Sequence, residues 1–168
     1  MSTPHSRDAA DPHRDLKNAF GRFATGITVA TCVGQKGEPV AITVNSFGSV
    51  SLEPPLVLWC IETKASTFAD FDAADSYAIS VLGADQRSFS ERFASRDGMA
   101  LQDGEFDVWE TGAPLLKDRL AGFDCRIVSR HRAGDHVILV AEVIKFDYRA
   151  GAPLLYFSSG YHQGPVAT

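Results

Sequence analysis

Short apolar blocks separated by polar turns run along most of this chain, a pattern that favours β-strands. Residues 56–61 (LVLWCI) form an unbroken apolar run after two prolines and predict a fully buried strand. Turn residues between apolar blocks predict two hairpins, one around Gly37 and one around Gly134. The other predicted strands cover residues 27–33, 40–44, 77–82, 123–130, 137–146 and 153–157.

Three segments carry helical patterns instead. Residues 15–23 place apolar side chains at i, i+3, i+4 and i+7, with Gly26 as the stop. Residues 66–73 predict a short helix capped by Ser66, and residues 85–94 predict a third helix before a loop at 95–104. Strands outnumber these helices and do not alternate with them, so the predicted fold is mainly β, an antiparallel barrel with a few flanking helices.

Composition narrows the class of protein. The 168 residues carry 16 basic and 21 acidic side chains, a net charge of −5, which argues against binding to nucleic acid or an anionic membrane. No apolar run approaches a membrane span, and the polar start lacks the apolar core of a signal peptide. We therefore expect a cytoplasmic protein with a disordered lead at residues 1–12 and one domain at residues 13–168.

The three cysteines indicate neither a disulfide framework nor a zinc site. Cys32, Cys60 and Cys125 are widely spaced, odd in number and embedded in apolar runs. We expect them to be reduced, buried and without a metal. Motifs for nucleotide loops, nucleophile elbows and zinc proteases are absent as well. A chain without its own nucleophile or metal motif is compatible with chemistry supplied by a cofactor.

Two polar segments flank the buried strand and could meet one ligand. The first, residues 43–51 (TVNSFGSVS), offers hydroxyls and an amide, although a long turn bonded to its own backbone remains an alternative. The second, residues 64–67 (KAST), combines a lysine with two hydroxyls before a helix, which suits a phosphate. An ordinary helix cap with a solvated lysine is the alternative there.

A third candidate is His136, which follows Gly134 and Asp135 in the tight turn of the second hairpin. It stands at the first position of an apolar strand beside a carboxylate. A lone histidine at a strand end is more often structural than catalytic, so both roles stay open.

Taken in order, several motifs resemble the flavin reductase-like family, the small NAD(P)H:flavin oxidoreductases that supply two-component monooxygenases. The resemblance runs from about residue 15 to residue 162. Each motif is weak alone, and their order carries the resemblance. They are FATGITV at 23–29, TVNSF at 43–47 with SVS at 49–51 and PP at 54–55, KAST at 64–67, YAISVL at 77–82, FA at 93–94, GDH at 134–136, and PLLYF at 153–157 ending in YH at 161–162.

This resemblance implies an FMN-binding split β-barrel, usually a homodimer, and assigns roles to residues. Beside the isoalloxazine and ribityl chain it places Thr43, Val44, Asn45, Ser46, Phe47, Ser49 and Val50. At the flavin phosphate it places Lys64, Ala65, Ser66 and Thr67, with Asp70 and Phe71 nearby. It associates His136 with the nicotinamide and Arg96 with a segment that closes over the flavin. Tyr161 belongs to the tail at residues 161–162, which is expected to contribute to the site.

The implied activity is hydride transfer from NADH or NADPH to FMN, with FAD as second choice. Reduced flavin would then diffuse to a separate flavin-dependent monooxygenase. Hydride transfer needs close, stacked rings and no protein nucleophile, which agrees with the missing motifs. Two alternatives stay open: a flavin- or haem-binding split-barrel module without reductase turnover, and a flavoenzyme acting directly on an organic substrate.

Overall fold

Antiparallel strands dominate the structure, a computed structural model that describes residues 11–95 and 101–166. In that part of the chain the strands are β1 (Thr25–Gly26), β2 (Thr28–Val33), β3 (Pro39–Val44), β4 (Gly48–Leu52), β5 (Pro55–Glu62), β6 (Ser76–Val81), β7 (Phe106–Val108), β8 (Pro114–Leu116), β9 (Ala121–Ala133), β10 (His136–Tyr148), β11 (Leu154–Phe157) and β12 (Gly160–Gln163). The helices are α1 (Arg14–Phe20), α2 (Phe68–Ala73) and α3 (Arg87–Ala94), the last preceded by a 3₁₀ turn at Ala84–Gln86.

The largest sheet has seven strands in the order β3-β2-β6-β9-β10-β5-β4. Its two edge strands are consecutive in the chain, because only residues 45–47 separate β3 from β4. A flat sheet of this size would hold its edges about 29 Å apart, since neighbouring strands are about 4.8 Å apart. The connection can reach at most about 15 Å at 3.8 Å per Cα step. The sheet must therefore curl until its edges approach, and we call residues 45–47 the seam of this barrel.

Two smaller sheets complete the barrel. The strands β1, β11 and β12 form a three-stranded sheet, and β7 pairs with β8 as a short hairpin. The structure thus has the mainly β, split-barrel architecture expected from the sequence, with helices at its flanks.

Both predicted hairpins are confirmed. The strands β2 and β3 pair antiparallel around Gly37, whose φ of +84° suits glycine. The strands β9 and β10 pair along 13 residues each and turn at Gly134, with φ of +64°. His136 begins β10 opposite Ala133, which fixes the turn that the sequence indicates.

The core of the barrel is apolar and aromatic. Trp59 on β5 is fully buried and meets the rings of Phe71 and Tyr77 edge-on, with ring centroids 4.9 and 5.9 Å away. Edge-to-face packing is a preferred arrangement of aromatic rings and adds to the free energy of burial. The predicted strand at residues 56–61 is confirmed, but it is not fully buried. Val57, Trp59 and Ile61 belong to the core, whereas the alternate residues Leu56, Leu58 and Cys60 are only partly buried.

The cysteines are free thiols, as expected. Cys32 and Cys125 are buried, whereas Cys60 is only partly buried. Burial raises the pKa of Cys32 to about 12 and raises the pKa values of Cys125 and Cys60 as well. These thiols therefore stay protonated at neutral pH and behave as small apolar groups.

Several local predictions were wrong. The polar stretch after β3 is not one long turn, because Gly48–Leu52 forms β4 and pairs with β5. Helix α1 ends at Phe20 with Gly21 as its C-cap, and Gly26 belongs to β1. The residue that caps α2 is Thr67 and not Ser66, and its side chain makes no capping hydrogen bond.

The predicted lead at residues 1–12 lies almost entirely outside the described residues, which begin at Asp11. Asp11 itself contacts the start of α1, accepting hydrogen bonds from the backbone N–H of His13 at 2.8 Å and from Lys17 Nζ at 2.6 Å. Among the described residues, no helix is long and apolar enough to cross a membrane.

Candidate functional site

A groove follows β3 along the outside of the barrel and crosses the seam. It consists of three adjacent cavities of about 190, 170 and 930 Å³, and we call it the β3 groove. The first two cavities share Ala94, and the second and third share Asn45 and Tyr156. The predicted site residues that line the groove are Thr43, Val44, Asn45, Ser46, Phe47, Lys64, Ala65, Ser66, Thr67 and Tyr161.

Residues 64–67 form one end of the groove. They follow β5 and face Ala41 and Ile42 of β3 across the cavity of about 190 Å³, with Phe93 of α3 on a third side. Lys64 is exposed, and within the described residues its ammonium makes no ion pair. Glu62 lines the same cavity, so local charge is balanced and anion binding there needs further donors.

Thr67 supplies one such donor. Its hydroxyl is buried and has no hydrogen-bond partner among the described residues. A buried hydroxyl without a partner is costly, and a ligand oxygen at this position would remove that cost. This orphaned group is the observation in the structure that most directly indicates a polar ligand at the end with Lys64.

The seam forms the middle of the groove. Asn45 is exposed and faces both larger cavities, and within the described residues its side-chain amide makes no hydrogen bond. The hydroxyl of Ser46 is committed to β5, accepting from the N–H of Cys60 at 3.0 Å and donating to its carbonyl at 3.2 Å. Phe47 packs against Phe123 with ring centroids 5.4 Å apart. The amide of Asn45 is therefore the seam's available polar group.

The neighbouring predicted residues differ in position. Val44 is mostly buried and packs into the core while closing the floor of the groove. Ser49 and Val50 lie on the edge strand β4, where both are exposed and neither lines the groove. A bulge between Ser49 and Ser51 shifts the pairing of β4 with β5 at this point.

Tyrosines from the three-stranded sheet form the opposite wall. Tyr161 on β12 lines the middle cavity and meets Tyr156 edge-on at 5.6 Å between centroids. The Arg87 guanidinium lies over the Tyr161 ring, 4.9 Å from its centroid. The Tyr161 hydroxyl is 2.9 Å from the hydroxyl of Ser90 on α3. This wall can present an aromatic surface to a flat ligand.

His136 lies beyond the groove's lining, beside the end with Lys64. Its Nδ1 donates to Asp135 Oδ1 at 2.7 Å, and its strand position pairs it with Glu62. The turn is fixed to β5 because the backbone N–H and the hydroxyl of Thr63 both donate to the carbonyl of Asp135. The bond from His136, with a smaller contribution from the charge of Lys64, lowers the pKa of Asp135.

The structure does not bring Asp70 or Phe71 into the groove. Phe71 is fully buried against Trp59, and the carboxylate of Asp70 accepts the N–H of Gln35 in the β2–β3 turn. Arg96 lies outside the described residues. Among the described residues, no group of three or more His, Cys, Asp or Glu is placed to hold a metal ion.

Sequence reasoning missed several residues that line or support the groove. The largest cavity is bordered by Phe20, Phe23 and Thr25, from the segment joining α1 to β1. The hydroxyl of Thr25 is buried without a partner in the described part of the chain. The FATG motif at residues 23–26 is the sequence signal that could have identified this border. Ser90 has no such signal, because its partners are distant in sequence.

Comparison with known proteins assigns the chain to one family. The family model described as the flavin reductase like domain matches residues 20–165. The chain therefore belongs to the flavin reductase-like family, as the motifs in the sequence indicate.

Individual relatives share most of the chain. The FMN reductase (NADH) SmoA of Agrobacterium fabrum is 46% identical over 147 residues, which are 88% of this chain and 83% of that protein. The crystal structure of BorF, the flavin reductase component of a bacterial two-component tryptophan halogenase, superposes with a TM-score of 0.84 at 35% identity and covers 90% of this chain and 98% of that one. The NADH:FAD oxidoreductase of Streptomyces globisporus has a TM-score of 0.83 at 34% identity and covers 96% of each chain.

Other relatives are named as reductase components or subunits of flavin-dependent monooxygenases. The residues matched by the family model include β3, the seam, residues 64–67 and β12.

Proposed function

We propose that this protein binds FMN in the β3 groove, reduces it with NADH and releases it to a separate flavin-dependent monooxygenase. The chain is an NAD(P)H:flavin oxidoreductase, in keeping with its family and with relatives named FMN reductase (NADH) and NADH:FAD oxidoreductase. The single observation that supports the site is the groove itself, with a cation and an orphaned hydroxyl at one end and aromatic walls further along.

The end with Lys64 fits a phosphate monoester. Lys64 can contribute a positive charge, and Thr67 can donate its unpaired hydroxyl. Within the described residues, the backbone N–H groups of Ser66 and Thr67 donate no hydrogen bond to a backbone carbonyl, so they can also donate to the phosphate. These short-range donors matter because a chain with a net charge of −5 exerts no general attraction on an anion.

The seam and the tyrosine wall fit a flat heterocycle with polar edges. Asn45 can donate and accept through its amide, and Thr43 keeps an acceptor lone pair while its hydroxyl donates to the Ser90 carbonyl. Tyr156 and Tyr161 supply aromatic surface. Bound flavin would provide the ring that accepts the hydride, and these side chains would hold that ring in a fixed orientation beside the nicotinamide.

His136 is the proposed contact to the nicotinamide side. The pair with Asp135 fixes its ring at the edge of the groove next to Lys64. Its task is positioning and not proton transfer, since hydride transfer between two rings needs no acid or base from the protein.

FMN is proposed ahead of FAD because the cavity beside Lys64, at about 190 Å³, suits one phosphate group. NADH is proposed ahead of NADPH because the relatives named above use NADH. For NADPH we would expect a second cluster of basic side chains to take the additional phosphate.

We also propose that the protein works as a homodimer. Large apolar side chains remain exposed around the groove and on β4, including Phe20 at 68%, Phe23 at 78% and Leu52 at 89%. Burying such side chains against a second copy would stabilise the assembly. Sedimentation velocity should give the mass of a dimer, and a monomer at micromolar concentration would contradict this proposal.

The central experiment is NADH oxidation measured with FMN, FAD and riboflavin in turn. We expect turnover with FMN, weaker turnover with FAD, and a higher KM for riboflavin because it lacks the phosphate. A protein that stays yellow, or binds haem, and ignores NADH would be a binding module instead. Retained flavin that turns over only with an added organic substrate would indicate a self-contained flavoenzyme.

A further inference from the structure

Ser90 does not line the groove, yet its hydroxyl and its backbone carbonyl both bond residues that do. It lies on α3 and is fully buried. Its hydroxyl is 2.9 Å from the hydroxyl of Tyr161, and its carbonyl accepts the hydroxyl of Thr43 at 2.7 Å. Thr43 and Tyr161 border the same cavity of about 170 Å³. One buried residue thus connects two walls of the groove.

These two walls belong to different sheets. Thr43 is on β3, the edge of the seven-stranded sheet, and Tyr161 is on β12 in the three-stranded sheet. Helix α3 lies between them, so the bonds to Ser90 contribute to the distance between the two walls, beside the backbone hydrogen bonds among Ile27, Leu82 and Leu154 that also join the two sheets. Hydrogen bonds are directional, which makes them more effective than apolar contacts at setting such a distance.

The ring of Tyr161 has other neighbours, but they do not fix its hydroxyl. Arg87 lies over one face at 4.9 Å, and the ring of Tyr156 meets it edge-on. Such contacts tolerate sliding and rotation. Within the described residues, Ser90 is the hydrogen-bond partner of the Tyr161 hydroxyl. Without it, the phenol would be free to shift within the groove.

We infer that Ser90 is a positioning residue for flavin binding: its hydroxyl orients Tyr161, while its backbone carbonyl holds Thr43 on the other wall of the β3 groove. The inference rests on the proposed function, because it assigns the groove to the flavin. It predicts that the hydroxyls of Ser90 and Tyr161 act together, so that removing either one weakens flavin binding to the same extent.

The test is a double-mutant cycle read in the Kd for FMN, measured by quenching of flavin fluorescence. We expect Ser90→Ala and Tyr161→Phe each to raise the Kd about three- to tenfold, the usual effect of one net hydrogen bond. The double variant should be no weaker than either single variant. Ser88→Ala is the matched control, since Ser88 is exposed on the same helix and should leave the Kd unchanged.

Three outcomes would overturn the inference. A lower Tm for Ser90→Ala with an unchanged Kd would reduce Ser90 to a structural residue. Additive losses in the double variant would show that the two hydroxyls act independently. A much larger loss for Tyr161→Phe than for Ser90→Ala would mean that the Tyr161 hydroxyl contacts the flavin directly.

A second variant and a wild-type control separate the possible outcomes. Should Ser90→Ala not fold, Tyr161→Phe removes the same bond from the groove side, and an unchanged Kd for that variant would overturn the inference. If the wild-type protein neither binds FMN nor reduces it, the proposed function itself fails. Binding by the wild type together with an unchanged Kd in the variants would reject only the role of Ser90.

Discussion

Aromatic side chains build both the barrel core and the β3 groove, but the two regions use them differently. In the core, Trp59 packs edge-on against Phe71 and against Tyr77, and all three are fully buried. In the groove, Tyr156 and Tyr161 keep part of their surface free beside an open cavity. The aromatic contacts in the core therefore stabilise the fold, whereas the exposed aromatic surface in the groove is available to contact a ligand.

Unpaired polar atoms separate the two regions further. Among the described residues, the Nε1–H of Trp59 and the hydroxyl of Thr67 are both buried without a partner. Inside the core such a group is only a cost, because no ligand can reach it. At the end of the groove, a hydrogen bond from the Thr67 hydroxyl to a ligand oxygen would remove this cost and so contribute to the affinity for the ligand. Substitutions in the core should therefore change stability, and substitutions in the groove should change binding.

The largest expected effect comes from Trp59→Ala. Removing this ring opens a cavity between Phe71 and Tyr77, which should lower the free energy of unfolding by about 3–5 kcal/mol. Chemical denaturation monitored by circular dichroism measures the change. Trp59→Phe is the matched control and should cost much less, because it keeps an aromatic ring and removes the unpaired N–H. Equal losses in both variants would contradict this account of the core.

Lys64→Ala tests the groove. We expect the Kd for FMN to rise roughly tenfold from the loss of one charge-assisted contact to phosphate, while the Tm stays unchanged. Affinity for riboflavin should not change, since riboflavin carries no phosphate. Lys36→Ala, at an exposed position in the β2–β3 turn, is the control. Unchanged FMN affinity in Lys64→Ala would reject the phosphate role of residues 64–67.

His136→Ala should separate binding from hydride transfer. Because His136 stands at the rim and not in the lining, we expect a several-fold slower bleaching of FMN by NADH with nearly the same Kd for FMN. Stopped-flow absorbance measures the rate. His131→Ala on the same hairpin, where the ring contacts Ser129, should behave like the wild type. Equal rates in His136→Ala and the wild type would assign His136 to the turn alone.

The smallest effect concerns the ion pair between Arg92 of α3 and Glu105. Glu105 accepts two hydrogen bonds from Arg92 of α3, at 2.9 and 2.6 Å, and these lower the pKa of Glu105 below its usual value of 4.5. A lowered pKa in the folded state stabilises the protein at neutral pH, and this contribution is lost as the pH falls below about 4.5 through the lowered pKa. Both side chains are about one-fifth exposed, so solvent reduces the gain.

Glu105→Gln should accordingly lower the free energy of unfolding by about 0.5–1 kcal/mol at pH 7. The difference from the wild type should shrink as the pH is lowered below 4.5. Denaturation curves across this pH range measure it. Glu91→Gln, which breaks an exposed pair with Arg87, is the control and should change less. A difference that stays constant with pH would exclude the ionised pair as its source.

The strands of the barrel were predictable wherever apolar runs and glycine turns coincide. The run LVLWCI identified β5, and Gly37 and Gly134 identified two hairpins, because these signals are local. Strand β4 was not predicted because serines such as Ser49 and Ser51 are common in turns, and its extended conformation depends on pairing with β5. A partner distant in sequence decided the conformation there.

The site was predictable to the extent that its chemistry is concentrated in short motifs. Residues 43–47 and 64–67 stood out by their polar composition, and the structure brings both to one groove. Phe71 was expected near the ligand but lies in the core, since a helix turns successive residues toward different surroundings. Ser90 could not be found from sequence, because its partners are 47 and 71 residues away.

The seam also limits how the length of this chain can change. Residues 45–47 close the barrel and carry the available amide of Asn45, so one added or deleted residue would alter both the curl of the sheet and the position of that amide. Insertion scanning should therefore find the β2–β3 turn at residues 34–38 permissive and the seam intolerant. Engineered insertions for labels or fused domains belong at that turn, on the far end of β3.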